Sequence, residues 1–508
     1  MRPRPRLPLL CMCFVALVVA GCSGGDGKKD AAKKAAEVDL PDEGPLIFVD
    51  GEGRLSVLEP DGSQPQPVPL EAPAVSRGTR GAAVRAPGIA FFQTEDGGLV
   101  MVDAVARSAK VVGNLEDAGG SLHPRDHHGG GRRFVGFTDD NGSKGLIVDI
   151  QAGTSRPLSD FQPRAEDDIV VGEVRISSNE QFLFVGSGNE VRLVPLGQGL
   201  TGAGEGKVLP VDKAYFNSDA TALFTGEFID KAPPDEGSWQ RVRRIPLDGA
   251  AEEVLAEKAD AFLGVAGDAA LIREGDSYSL ISHPGQGRNV EFGLAEGEVA
   301  FLGWNPIDGG GLAVISKEDD RERQRFAYLD PKTAAVKHLD ALGGFRPASP
   351  EPTKRFFVLS NIRLPEYTGK HEYGGGRDDE GRTTTTERTG NGQYALVDLA
   401  TGDFRTANFD LAPHQQNVLP LPSPDGTQLG LSHSNEQGEF LATIIFFDGS
   451  GKSIGLRGAG FSAWSPSGKS YLAASFNESA KSYRFLLGVH GLSREITAGA
   501  SQVVWTAR

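Results

Sequence analysis

From residue 46 onward the apolar positions come in short runs, and each run is cut by Gly, Asp, Asn or Pro. Almost nowhere do they recur at the three-and-four spacing of an amphipathic helix. They have the length and the boundaries of strands. One piece, a turn followed by an apolar run, returns along the chain as Ile176-SSNEQFLFVGS, Phe216-NSDATALFTGE, Trp304-NPIDGGGLAVIS, Ala348-SPEPTKRFFVLS, Pro422-SPDGTQLGLSHS and Trp464-SPSGKSYLAAS. The step is 40 from Ser177 to Asn217, 44 from Asn305 to Ser349 and 42 from Ser423 to Ser465. Asn217 to Asn305 is two steps, with the degenerate GVAGDAALI at Gly264 between them, and Ser349 to Ser423 is one step plus an insertion.

A second piece follows in each unit: an apolar run ending in Asp, a turn, and another short strand. LVMVDAVARSAKVV, LIVDIQAGTSRPL, FAYLDPKTAAVKHL and IIFFDGSGKSIGL are copies. Each unit therefore predicts four strands, a to d, joined by hairpin tips. Four-stranded units at this period are the mark of an all-β chain folded as a β-propeller. About ten units can be counted, and the expectation is one ring of eight to ten blades. Leu46-IFVD resembles a strand b with no strand a before it, while VVWTAR at the end places Trp505 forty-one residues after Trp464, as an extra strand a. The two ends are expected to complete one blade between them.

The turn sequences carry a resemblance. Trp464-SPSG and Ser423-PDG are similar to the W-S-P-D-G turn of the TolB-like, WD40-like (PD40-type) repeat family, and Trp304-NPIDG matches in part. The resemblance covers residues 46–508 as an architecture. It implies a propeller, often periplasmic and often a platform for binding other proteins.

The N-terminus changes the picture of where such a ring would sit. Arg2, Arg4 and Arg6 precede an apolar run from Leu7 to Ala20, the order of a secretory signal and too short for a membrane span. The run ends in Val19-Ala20-Gly21-Cys22, which resembles the lipobox of bacterial lipoproteins. By that resemblance residues 1–21 are removed, Cys22 is acylated, residues 22–45 form a tether and residues 46–508 the propeller. Cys11 and Cys13 leave with the signal, so no free thiol and no disulfide framework remains. Two or three acyl chains anchor far more durably than one. Ser23, where inner-membrane lipoproteins tend to carry Asp, favours the outer membrane by the same resemblance. Losing three arginines takes the formal charge from −16 to −19. That balance argues against nucleic acid, which needs a basic footprint.

Candidate chemistry is sparse. Gly468-Lys469-Ser470 and Gly451-Lys452-Ser453 resemble the end of a phosphate loop, but the leading glycine is replaced by Ala463 and Phe446, and no helix follows. No nucleotide is expected. The nucleophile elbow is incomplete at Gly275-DSYS and Gly460-FSAW. His123, Asp126, His127 and His128 lie in a Gly-rich stretch ill suited to a rigid metal site, and Asp139-DNGSKG reads as a hairpin tip. No cofactor and no metal is expected.

Two long connections between strands b and c stand out, Gly226–Gln240 and Asn361–Gln393. Long loops without structure of their own are usually functional or disordered. The second carries Arg363, Tyr367, His371, Tyr373 and Arg377, side-chain types enriched at binding hot spots. The expected function is a non-catalytic, lipid-anchored interaction or assembly platform in the bacterial envelope, with other envelope proteins as partners. The alternatives are a propeller enzyme of lactonase or glycan-active type, its site scattered over several blades, and a binder of polysaccharide or small ligands.

Overall fold

The computed structural model describes residues 43–507, apart from 60–64, 77–80, 116–130, 139–144, 162–170, 188–189, 204–205, 210, 212, 231–237, 305–310, 318–319, 349–354, 362–391, 410–418, 435–439, 478–481 and 490–491. Antiparallel strands follow one another as neighbours in seven sheets of four, one of three and one of seven. The seven-stranded sheet is two blades that share a strand, so the total is ten blades of a β-propeller. In the third blade strands b to d are described, Phe134–Thr138, Gly145–Asp149 and Thr154–Pro157. Its inner strand falls outside the described residues.

Burial explains the hydrophobic pattern. A blade packed between two neighbours covers both faces of its middle strands, which therefore read as continuous apolar runs rather than alternating ones. Strand b of blade 2, Ile89–Gln93, is buried through its first four residues, and strand c, Gly98–Asp103, is buried through its middle four. The rim strand d of the same blade, Ser108–Asn114, has one buried residue, Val112. The runs thin outward because the outermost strand meets water.

Ten apolar clusters among the described residues lie one to each blade junction. Ala266, Leu271 and Leu280 of blade 6 meet Ala300, Ala313 and Ala327 of blade 7. Ile47 and Val57 of blade 1 meet Phe92 and Val100 of blade 2. The series ends where Leu472, Phe485 and Leu487 of blade 10 meet Leu46, Phe48 and Trp505 of blade 1. Every blade is thus packed on the next and the last on the first, which among the described residues makes one ring of ten blades.

Closure follows the expectation and adds to it. Leu46, Ile47, Phe48 and Val49 pair antiparallel with Trp505, Val504, Val503 and Gln502. The C-terminal segment supplies the inner strand of blade 1, as the unmatched ends imply. It is not a separate strand, however. Leu492–Trp505 runs unbroken, pairing first with Ser482–Val489 as strand d of blade 10 and then with Leu46–Asp50 as strand a of blade 1. Trp505 donates its indole N–H to the Gly44 carbonyl at 3.0 Å, and Thr506 donates both its amide at 3.1 Å and its hydroxyl at 2.8 Å to the Pro45 carbonyl.

Candidate functional site

The repeating polar residues turn out to be structural. Ser177, Ser423 and Ser465 are fully buried, and each hydroxyl accepts backbone N–H groups of its own a–b turn. Ser177 takes those of Gln181 and Phe182, Ser423 those of Thr427 and Gln428, and Ser465 that of Ser470. Asn217 accepts from Ala222 at 2.8 Å in the same way. A buried turn must satisfy its amides internally, and one short oxygen side chain does so. The apparent phosphate loop is one of these turns. Gly468 has φ +78°, its N–H reaches the Ser465 carbonyl at 2.9 Å, and a Cβ there would meet Asp425 of the preceding blade. The Asp at or just after the end of strand c in five blades is equally local: Asp103, Asp149, Asp330, Asp398 and Asp448 accept amides two or three residues on.

These turns also touch one another around one face of the ring. The Ser178 hydroxyl donates to the Ser218 carbonyl and the Asn179 amide to Ala220, while Asn217 donates to Asp268 of blade 6 at 3.0 Å. The Arg132 and Arg133 amides of blade 3 are held by Glu180 of blade 4 at 2.9 and 2.8 Å. Ser467 of blade 10 donates to Glu43, just before blade 1. Among the described residues, the a–b and c–d turns form a cross-linked floor.

The opposite face, of b–c connections, is built differently. In blade 5 strands b and c, Ala222–Asp230 and Ser238–Pro246, are nine residues each and pair out to Asp230 and Ser238. The two flanks of Gly226–Gln240, expected as a loop, are therefore strand-paired out to Asp230 and Ser238. One side carries a charge ladder: Glu227 receives Arg243 at 2.5 Å and lies 3.7 Å from Arg241, whose Nε donates to Glu257 at 2.9 Å. On the other side Phe228 is 50% exposed, opposite the buried Gln240, which anchors the hairpin by accepting the Phe262 amide of blade 6.

Blade 7 repeats the scheme. The stretch after Lys317 pairs back as a strand from Asp320. Its Arg325 clasps Glu298 on the inner strand, and this guanidinium holds the Glu298 carboxyl below the usual range, against a smaller upward push from burial. In blade 8 the root of the long insertion is fixed: the Gln393 amide donates to Asn361 Oδ1 at 2.7 Å and the Gln393 side chain to Asn408 at 2.9 Å. Arg363, Tyr367, His371, Tyr373 and Arg377 lie beyond that clamp, outside the described residues, as do Cys22, His123, Asp126, His127 and His128.

Along the central opening the inner strands expose two large apolar side chains, Phe301 of blade 7 at 45% and Leu421 of blade 9 at 41%. Leu421 stands between Pro420 and Pro422, and Trp464 of blade 10 donates to its carbonyl at 2.7 Å. Arg175 of blade 4 is buried, its guanidinium 4.7 Å from the Tyr215 ring and bonded to the Ala214 carbonyl, which makes it a pin between blades. Among the described residues no three His, Cys, Asp or Glu side chains stand together as metal ligands, and no helix is long and apolar enough to cross a membrane.

No protein-family model and no curated protein matches this chain. Solved structures do. The chain is similar to a eukaryotic initiation factor at a TM-score of 0.51 and 9% identity, over 91% of this chain and 98% of that one. It is also similar to the dihydro-heme d1 dehydrogenase NirN (TM-score 0.37, 13% identity, 81% and 73% covered). A third is an oligogalacturonate lyase in complex with manganese (0.35, 14%, 73% and 99%). At such identities the likeness is one of fold.

Proposed function

We propose that the protein is a lipoprotein of the bacterial envelope, held through Cys22, whose propeller is a non-catalytic platform for other envelope proteins. The observation that carries this reading is the blade 5 hairpin. It is a strand-paired extension on the b–c face that carries a half-exposed Phe228 beside charges of both signs. An aromatic anchor with arginines near it is the composition of a protein contact, and mixed charge suits a protein better than a polyanion. The recurring polar residues support the same reading, since turn closure and blade-to-blade bonds account for them.

Two variants test it by cross-linking and recovery from envelopes. Cys22→Ala should move the chain to the soluble fraction; membrane retention after a high-salt wash would overturn the anchor. Phe228→Ala should weaken recovery of the partner by roughly fivefold or more, the size of a truncation above about 1 kcal/mol. An unchanged partner set in that variant and in a deletion of Leu364–Gly392 would overturn the platform.

A further inference from the structure

The position at which the chain enters the ring sets which face looks at the lipid. Residues 43–45 precede strand b of blade 1 at the same end as its strand a finishes, so the entry lies on the a–b floor. It is pinned there on both sides, to Ser467 through Glu43 and to Trp505 and Thr506 through the Gly44 and Pro45 carbonyls. Residues 23–42 then separate this point from Cys22. Twenty residues, were they a random coil, would have a root-mean-square reach of roughly 25 Å. To bring the other face to the lipid, that segment would have to pass the rim of blade 1 and then descend its height. That path is three strand spacings of about 4.8 Å plus roughly 20 Å of strand, or about 35 Å before any membrane is reached.

We propose that the ring is held with its a–b and c–d turns toward the lipid and its b–c face toward the water, so that partners dock from the aqueous side. This rests on the lipid-anchored platform reading. It explains a division of labour already visible in the structure. Among the described residues the floor turns are cross-linked to one another, while the blade 5 and blade 7 hairpins and the clamped root at Asn361 all lie on the opposite face.

The test uses the full-length lipidated protein, purified from membranes and returned to vesicles of neutral phospholipid. If Cys22 is acylated, an introduced cysteine is the one free thiol, because the other two, Cys11 and Cys13, precede the cut. A donor dye is placed singly at Lys469→Cys and Lys332→Cys on the floor, and at Glu52→Cys and Asp276→Cys in b–c turns; all four positions are exposed. Resonance transfer to acceptor-labelled lipid should be higher from both floor sites than from both b–c sites. Inserting twenty Gly/Ser residues before Pro41 should shrink the difference. Equal transfer from all four sites, or the reverse order, overturns the orientation. Flotation with the vesicles is scored first: a protein that does not float refutes the anchor, whereas one that floats with equal transfer refutes the orientation alone.

Discussion

Blades 1 and 6 have the same four strands and reach them by opposite routes. Blade 6 comes from one continuous stretch, Ala261 to Val290, with strands a and b joined by the two-residue turn Gly267-Asp268, where Gly267 takes φ +57°. In blade 1 the corresponding step has no covalent turn. Its strand a and strand b are ends of the chain, and the contact from Trp505 to Gly44 spans 461 residues. Closing a loop of that length rather than a turn costs on the order of 4 kcal/mol more by loop-closure entropy. The extra contacts at the seam offset that cost: an indole bond, two bonds to one carbonyl and an apolar cluster around Trp505. Local sequence builds blade 6, whereas blade 1 forms only when the rest of the ring has brought its parts together.

The contrast can be broken most severely by deleting Ser501–Arg508. Blade 1 should lose its inner strand and blade 2 a packing partner in Val504, giving a chain that aggregates or is digested by protease at temperatures where the parent resists. A deletion that melts with the parent would show that the ends do not close the ring. A milder break is Trp505→Ala. The side chain is 4% exposed, and its loss should cost about 3–5 kcal/mol. Trp505→Phe, which keeps most of the packing and loses the bond to Gly44, should cost nearer 1 kcal/mol. Denaturant unfolding separates the two, and equal losses would assign the seam to the indole bond rather than to packing.

The smallest effect sharpens the comparison by testing a pin away from the seam. Because Arg325 lowers the folded-state value of Glu298, the pair stabilises the protein above the unfolded carboxyl value and loses that contribution as pH falls through the folded one. Arg325→Gln should therefore be less stable than the parent at neutral pH. The two should converge in acid. A difference that persists at low pH would point to packing rather than charge.

Much of this was legible. The repeat step, the four strands and the unpaired ends are written in Ser177, Ser423, Trp464 and Trp505, because a blade is a local unit and its turn chemistry repeats with it. The role of the repeated Ser was not legible as such, since a buried hydroxyl closing a turn and an exposed one read alike in sequence. The blade 5 hairpin was missed because Pro233 and Pro234 mark a loop, while the strand pairing on either side depends on cross-strand partners a sequence does not display. The uninterrupted strand Leu492–Trp505 was hidden for the same reason: Gly499 looks like a break, yet pairing on both flanks carries the strand through it. The orientation of the two faces depends on where Glu43 meets Ser467, a contact across 424 positions that no local pattern encodes.

The number of junctions fixes a dimension as well as a count. Sheets pack about 10 Å apart, so ten of them close on a circle of roughly 16 Å radius at mid-blade. The inner strands stand about 7 Å nearer the axis, which leaves a bore of roughly 18 Å between backbones. Side chains such as Phe301 and Leu421 narrow it further. Blade count thus sets the width between the inner strands, by nothing more than how many times one turn-and-strand unit is repeated.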